Sequence, residues 1–119
     1  MKIAIPAEDN RPDSPVCQAF GRSAYLAVVD VESGDYEFIE NPGAQSQGGA
    51  GVKAAQAVVD AGAEVLITFH LGQNAADVLQ PGGVSILKAV PGTVEALIQL
   101  YQTGTLGELT EIHAGYHHG

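Results

Sequence analysis

Residues 46–56, SQGGAGVKAAQ, place Gly48, Gly49 and Gly51 where a helix has to nucleate, and Lys53 inside its first turn. Glycine opposes nucleation because its backbone loses the most freedom on ordering. A cation near a helix N-terminus opposes the dipole. A bound anion would reconcile both features. The main-chain amides of Gly48, Gly49, Ala50, Gly51 and Val52 can donate to it, the missing side chains let it approach, and Lys53 adds charge. The stretch is neither GxxxxGK[ST] nor GxGxxG after a strand. The plainer alternative is a close helix–sheet contact beside a solvated lysine.

Arg11, Arg22 and Lys53 are three of only five Lys and Arg residues, and all fall in one set of loops. Together they can neutralise a polyanion; singly, each reads as an ordinary surface charge. Cys17, the one cysteine, excludes an internal disulfide and leaves a core thiol, an intermolecular bridge or a soft ligand for copper, iron or zinc. His70 in HLGQN follows an apolar strand and can bond a metal or donate to an anion. Gly72 and Asn74 open the next helix, where Asn74 also reads as a cap. His113 and His117 are four apart, with His118 adjacent, so a helical tail could hold a metal; Gly115 weakens that helix, and a loosely ordered tail is the simpler reading. Hydrolytic chemistry finds no HExxH, no CxxC and no Ser–His–Asp order. Asp30 and Glu32 share a strand face but find no partner carboxylates for a two-metal site.

The elements that position these groups read as follows. KIAIP (2–6) is a strand stopped by Pro6, and residues 7–22 are a long loop. AYLAVVDV (24–31) and DYEFIE (35–40) form a hairpin about Ser33-Gly34. NPGAQSQGG interrupts, then apolar residues at helical spacing give a helix over 50–61, closed by Gly62. EVLITF (64–69) is a continuous apolar run, as in a central parallel strand. A short helix over 73–80 stops at Pro81-Gly82, and VSILKA (84–89) is the fifth strand. Thr93 caps a helix over 94–103, ended by Gly104, and the stretch GELTEIHAGYHHG (107–119) reads as loosely ordered. The order β-β-β-α-β-α-β-α implies a three-layer α/β sheet with a hairpin at one edge. Ligands of such sheets sit beyond the carboxyl ends of the parallel strands, where the loops 7–22, 41–51, 70–73 and 90–92 belong.

At 119 residues and 45% hydrophobic, the expectation is one α/β domain over 1–112 and a His-rich tail over 113–119. No apolar run is long enough for a membrane span or a signal peptide, so the cytoplasm is the default expectation. A net charge of −9, from 14 acidic and 5 basic residues, argues against nucleic acid and anionic membranes as partners.

Taken in order, FGRSAYLAVVDVESG (20–34), NPG…GGAGVKAAQAVVDAGAEVLIT (41–68), LGQNAADVLQPGGVSIL (71–87), GTVEALIQLYQTGTL (92–106) and the His-rich end resemble the dinitrogenase iron–molybdenum cofactor biosynthesis family. That resemblance implies a ribonuclease H-like motif: a mixed five-stranded sheet, its second strand antiparallel, flanked by helices. It implies a non-catalytic carrier of an anionic metal–sulfur cluster, with a cofactor-donor or acceptor protein as a further partner. The small anionic form is most similar to stand-alone members from anaerobes, for which a molybdenum–copper sulfide cluster is implied over the iron–molybdenum type. Two motifs depart from the family. Ala19-Phe20-Gly21-Arg22 stands where members often carry His-Phe-Gly-Arg, so that histidine's ligation does not transfer. Gly72-Gln73-Asn74-Ala75 stands for the common Gly-Pro-Asn-Ala. Cys17 or His70 is then left for a direct bond, with charge and hydrogen bonds doing the rest. Two rivals remain at this stage: a small hydrolase or transferase acting on a phosphorylated metabolite at the glycine loop, and an acidic adaptor protein.

Overall fold

Ile3, Ile5 and Ala7 face one way along the first strand and Ala4 the other, and all four are buried. Such a strand needs cover on both faces. In the computed structural model, which describes residues 1–110 and 112, it lies at the centre of a five-stranded sheet of order β3-β2-β1-β4-β5. The strands are β1 (Lys2–Ala7), β2 (Tyr25–Asp30), β3 (Tyr36–Glu40), β4 (Ala63–Thr68) and β5 (Ser85–Lys88); the helices are α1 (Ala50–Asp60), α2 (Gln73–Leu79) and α3 (Val94–Gln102). β1 pairs parallel with β4, and β4 with β5, while β2 runs antiparallel to both β1 and β3. This is the three-layer α/β architecture, with one antiparallel strand, that the sequence implies.

Two cores form on the two faces. Ala4, Leu26 and Leu66 meet Ala54, Ala55, Val58, Ala76 and Leu79 of α1 and α2. Ile3, Ile5, Ala27, Val29 and Ile67 meet Val94, Leu97 and Ile98 of α3. The alanines keep α1 and α2 close to the sheet and to each other. The hairpin turns as expected: Gly34 takes φ 79° and donates to the Asp30 carbonyl at 2.8 Å. The amides of Glu32 and Ser33 donate to the Asp30 carboxylate, holding its pKa below the usual carboxylate value.

Three expectations need correction. β1 does not stop at Pro6 but runs to Ala7. Its ladder with β4 ends at Ala4↔Leu66, so the missing N–H of Pro6 breaks no bond there. A short 3₁₀ turn, Phe20–Arg22, interrupts the loop 7–22, and Phe20 anchors it in the core. Residues 107–109, read as part of a loose tail, pair along β5: Lys88 N–H donates to the Gly107 carbonyl at 2.8 Å and Leu109 N–H to that of Ile86 at 3.1 Å.

Because β2 is reversed, four connections gather at one end of the sheet: 8–24 after β1, 41–49 after β3, 69–72 after β4 and 89–93 after β5. The glycine-rich helix start lies there, as expected.

Candidate functional site

The chain enters α1 through Gly49, whose φ of 68° lies in the left-handed region, and no side chain caps the helix. The first intrahelical bond runs from Lys53 N–H to the Gly49 carbonyl at 2.9 Å. The amides of Gly49, Ala50, Gly51 and Val52 meet no acceptor among the described residues. The start of α3 is the reverse case. Val94 N–H donates to the Ser14 carbonyl, Glu95 N–H to that of Pro12 and Leu97 N–H to that of Thr93. Ala96 N–H reaches Thr93 Oγ1. One helix start in this protein is therefore closed from within, and the other leaves its first amides without an acceptor among the described residues, with Gly21 packed against the Gly51 nitrogen.

Backbone-to-backbone packing places that open start. A Cβ on Gly21 would lie 2.9 Å from the Gly51 nitrogen, and one on Gly43 would overlap the carbonyl oxygens of Ala50 and Gly21. Buried Asn41, 5% exposed, ties the two turns together. Its Nδ2 donates to the Phe20 carbonyl and to Ser23 Oγ at 3.0 Å each, and its Oδ1 accepts from Gly43 N–H at 2.9 Å. Arg22 reaches across the top and donates to the carbonyls of Ser46 and Gly43. Gly51 faces α2, where its Cβ would make ordinary contact with Ala75 at 3.6 Å. The glycines thus answer partly to close packing, at Gly21 and Gly43, and partly to backbone conformation, at Gly49. Gly48 has open space around it.

The segments next to the start of α1 carry none of the chain's carboxylates. Residues 14–29, 41–59 and 65–76 contain no Asp or Glu, in a chain that has 14. Arg22 bonds only carbonyls, and exposed Lys53 has no ion-pair partner among the described residues. Both leave positive charge uncompensated at contact range. Arg11 does not: Asp9 at 3.1 Å and Asp13 at 3.3 Å match it. Val52 and Val90, 37% and 40% exposed, are the large hydrophobics most open to solvent among the described residues, and both lie at this end of the sheet.

Residues 1–104 match the family described as dinitrogenase iron-molybdenum cofactor. The chain belongs to the dinitrogenase iron–molybdenum cofactor family. Among solved structures, the apo form of the orange protein from Desulfovibrio gigas is 32% identical, with 92% of each chain covered and a TM-score of 0.86. A Thermotoga protein described as a NifB candidate is 35% identical over 99% of this chain and 98% of that one, with a TM-score of 0.82. A Methanocaldococcus jannaschii protein is 29% identical over 109 residues, 89% of each chain. A dinitrogenase-type protein from the same organism, 16% identical with a TM-score of 0.72, shares the fold.

Within this family framework the remaining candidates sort by position. Cys17 is half-buried; its amide donates to the Pro6 carbonyl at 2.9 Å and its Sγ sits 3.8 Å from the Ala19 carbonyl. His70, exposed, follows β4 and tilts beside Phe69 at a ring separation of 6.5 Å. Gly72 is the N-cap of α2, and Asn74 is exposed in its first turn. No group of three or more His, Cys, Asp or Glu side chains converges among the described residues. His113, His117 and His118 lie outside the described residues. Asn41, Gly43 and Ser46 hold the site together yet were not singled out by sequence. Their signal was the Asn-Pro-Gly turn, which reads as an interruption until its partners are known. No helix of the described residues is long and apolar enough to cross a membrane.

Proposed function

We propose that this protein is a non-catalytic carrier of a preformed anionic metal–sulfur cofactor. The observation that carries the reading is the set of amides from Gly49 to Val52 that meet no acceptor among the described residues, in a segment (41–59) free of carboxylates and with the charges of Arg22 and Lys53 at the same end. Sulfide-rich clusters are large, soft and anionic, and they accept hydrogen bonds at several sulfurs at once. A row of amides with no side chain in the way suits such a guest better than it suits a bare cation. Molybdenum–copper sulfide is the preferred cargo over the iron–molybdenum type, given the chain's likeness to small family members and the alanine at position 19. In this reading the amides and cations do the holding, assisted by the backbone at Gly48 and by Gly72 and Asn74 at the start of α2. Cys17 and His70 stand at the same end, with no converging ligand set among the described residues. Arg11, already matched by two carboxylates, contributes least.

Mixing apo-protein with tetrathiomolybdate and copper(I), then desalting, tests this directly. The expected result is a visible charge-transfer band that elutes with the protein. Gly48→Asp would put a carboxylate one residue before Gly49, in open space, and should release the band while leaving the fold intact. Failure of the wild-type protein to retain any band would overturn the molybdenum–copper reading; retention unaffected by Gly48→Asp would overturn the amide site.

A further inference from the structure

One edge of the sheet is closed by the chain itself, because residues 107–109 lie along β5. No described segment does the same for β3. Two bonds fix which of its groups face outward. Asn41 N–H donates to the Ala24 carbonyl at 3.1 Å, and Asp30 N–H to that of Asp35 at 2.9 Å. Alternation along an antiparallel ladder then turns the main chain of Glu37 and Ile39 toward β2, and that of Tyr36, Phe38 and Glu40 away from it. Common edge protections are missing: Tyr36–Glu40 contains no proline, no lysine and no register shift.

The side chains along this edge say what it would accept. Tyr36 and Phe38 are half-buried and stacked, with centroids 6.3 Å apart and planes at 14°. A shallow hollow of about 230 Å³ at the amino end of the strand is bordered by Asp30, Asp35 and Glu37, with Lys2 the one cation. A second, of about 540 Å³ at the other end, is bordered by Tyr25, Glu40 and Gln45. The strand itself carries only negative charge. A second copy pairing here would bring two sets of Glu37 and Glu40 together on chains of net charge −9, which like-charge repulsion opposes. A cationic strand meets no such penalty.

We propose that the outer edge of β3 is a docking site for an extended lysine- or arginine-bearing segment of a partner protein, which adds a sixth strand to the sheet. Main-chain bonds to Tyr36, Phe38 and Glu40 supply affinity, and the carboxylates select the sign of charge. Glu40 leads directly into residues 41–49, the connection to the start of α1. The edge would accept such a segment whatever the amides hold.

The probe is a blocked peptide of alternating lysine and valine, titrated into the isotope-labelled full-length protein. Saturation should slow solvent exchange of the Tyr36, Phe38 and Glu40 amides about tenfold or more relative to those of Glu37 and Ile39. The glutamate–valine counterpart should not bind. Glu37→Lys with Glu40→Lys, both exposed positions, should weaken binding about tenfold or more. Equal binding of both peptides, or slowed exchange confined to residues elsewhere, overturns the proposal; if the double variant misfolds, the peptide pair on the wild-type protein still decides. A wild-type dimer in sedimentation equilibrium that the two lysines abolish would also overturn it, by making a second copy the occupant.

Discussion

Gly43 and Ala50 touch backbone to backbone: the carbonyl oxygen of Ala50 occupies the space that a Cβ on Gly43 would need, and the Gly21 carbonyl blocks the same position. This contact fixes where α1 begins, so it fixes where the open amides point. Gly43→Ala must push backbone apart, and core overpacking of this kind costs about 1–3 kcal/mol. Gly48→Ala adds a methyl where nothing lies within 4 Å and where φ is not positive. It should change stability by less than about 0.5 kcal/mol. Urea unfolding of the two variants side by side checks the pair, and equal effects would refute the contact.

Asn41 is the second fastener. Replacing it with alanine strands the Gly43 amide, which its side chain now satisfies, and leaves the Phe20 carbonyl only the longer bond from Ser23 Oγ at 3.4 Å. A buried polar group left without a partner costs about 1–3 kcal/mol, so a loss of roughly 2–3 kcal/mol is expected for Asn41→Ala. Aspartate keeps the acceptor for Gly43 N–H but loses the two Nδ2 donations. Asn41→Asp should be destabilised too, and more at neutral than at acid pH, because an ionised carboxylate would face the Phe20 carbonyl. The measurement is the urea midpoint of each variant at two pH values.

How far the sequence could be read depends on whether a signal was local. The strand and helix bounds fall within a residue or two of the expected ones, because Gly62, Pro81-Gly82, Thr93 and Gly104 punctuate periodic apolar runs. The gathering of loops followed from topology rules alone. What remained hidden was long-range: that Gly43 packs on Gly21 and Ala50, that Asn41 joins turns 18 and 21 residues away, and that Arg11 is matched by its own neighbours. Arg11 and Arg22 look alike as isolated cations. Only Asp9 and Asp13, against the carbonyls of Ser46 and Gly43, separate their roles. The carboxylate-free segments were legible in the sequence, but they mean something only once topology brings them to one end.

Arg22 and Lys53 should affect cluster retention by different routes. Arg22 holds the loop through Ser46 and Gly43, whereas Lys53 makes no ion pair among the described residues and acts through charge alone. Arg22→Ala is expected to speed amide exchange across residues 43–48 as well as weaken retention. Lys53→Ala should weaken retention by roughly tenfold at low salt, less at high salt, and leave exchange unchanged. Combined hydrogen-exchange and desalting assays distinguish the two. Identical exchange profiles for both variants would show that Arg22 is not a brace.

Tyr36 gives the edge strand a pH signature. Burial first, and the nearby Glu95 carboxylate second, push its hydroxyl pKa above the ordinary value of 10.0. The neutral phenol is the form that folding favours. Its contribution to stability is therefore complete below the unfolded value and is lost as pH rises from there through the folded pKa, where the unfolded chain releases the proton more readily. Wild-type protein should lose stability above about pH 10 more steeply than Tyr36→Phe, with the two curves parallel below it. Glu95→Gln removes the smaller cause and should reduce the difference without abolishing it, because desolvation by the sheet and the stacked Phe38 ring persists. Urea midpoints measured from pH 8 to 11 give the comparison. A Tyr36→Phe curve that falls as steeply as wild type would mean that this hydroxyl is no more desolvated in the folded protein than in the unfolded chain.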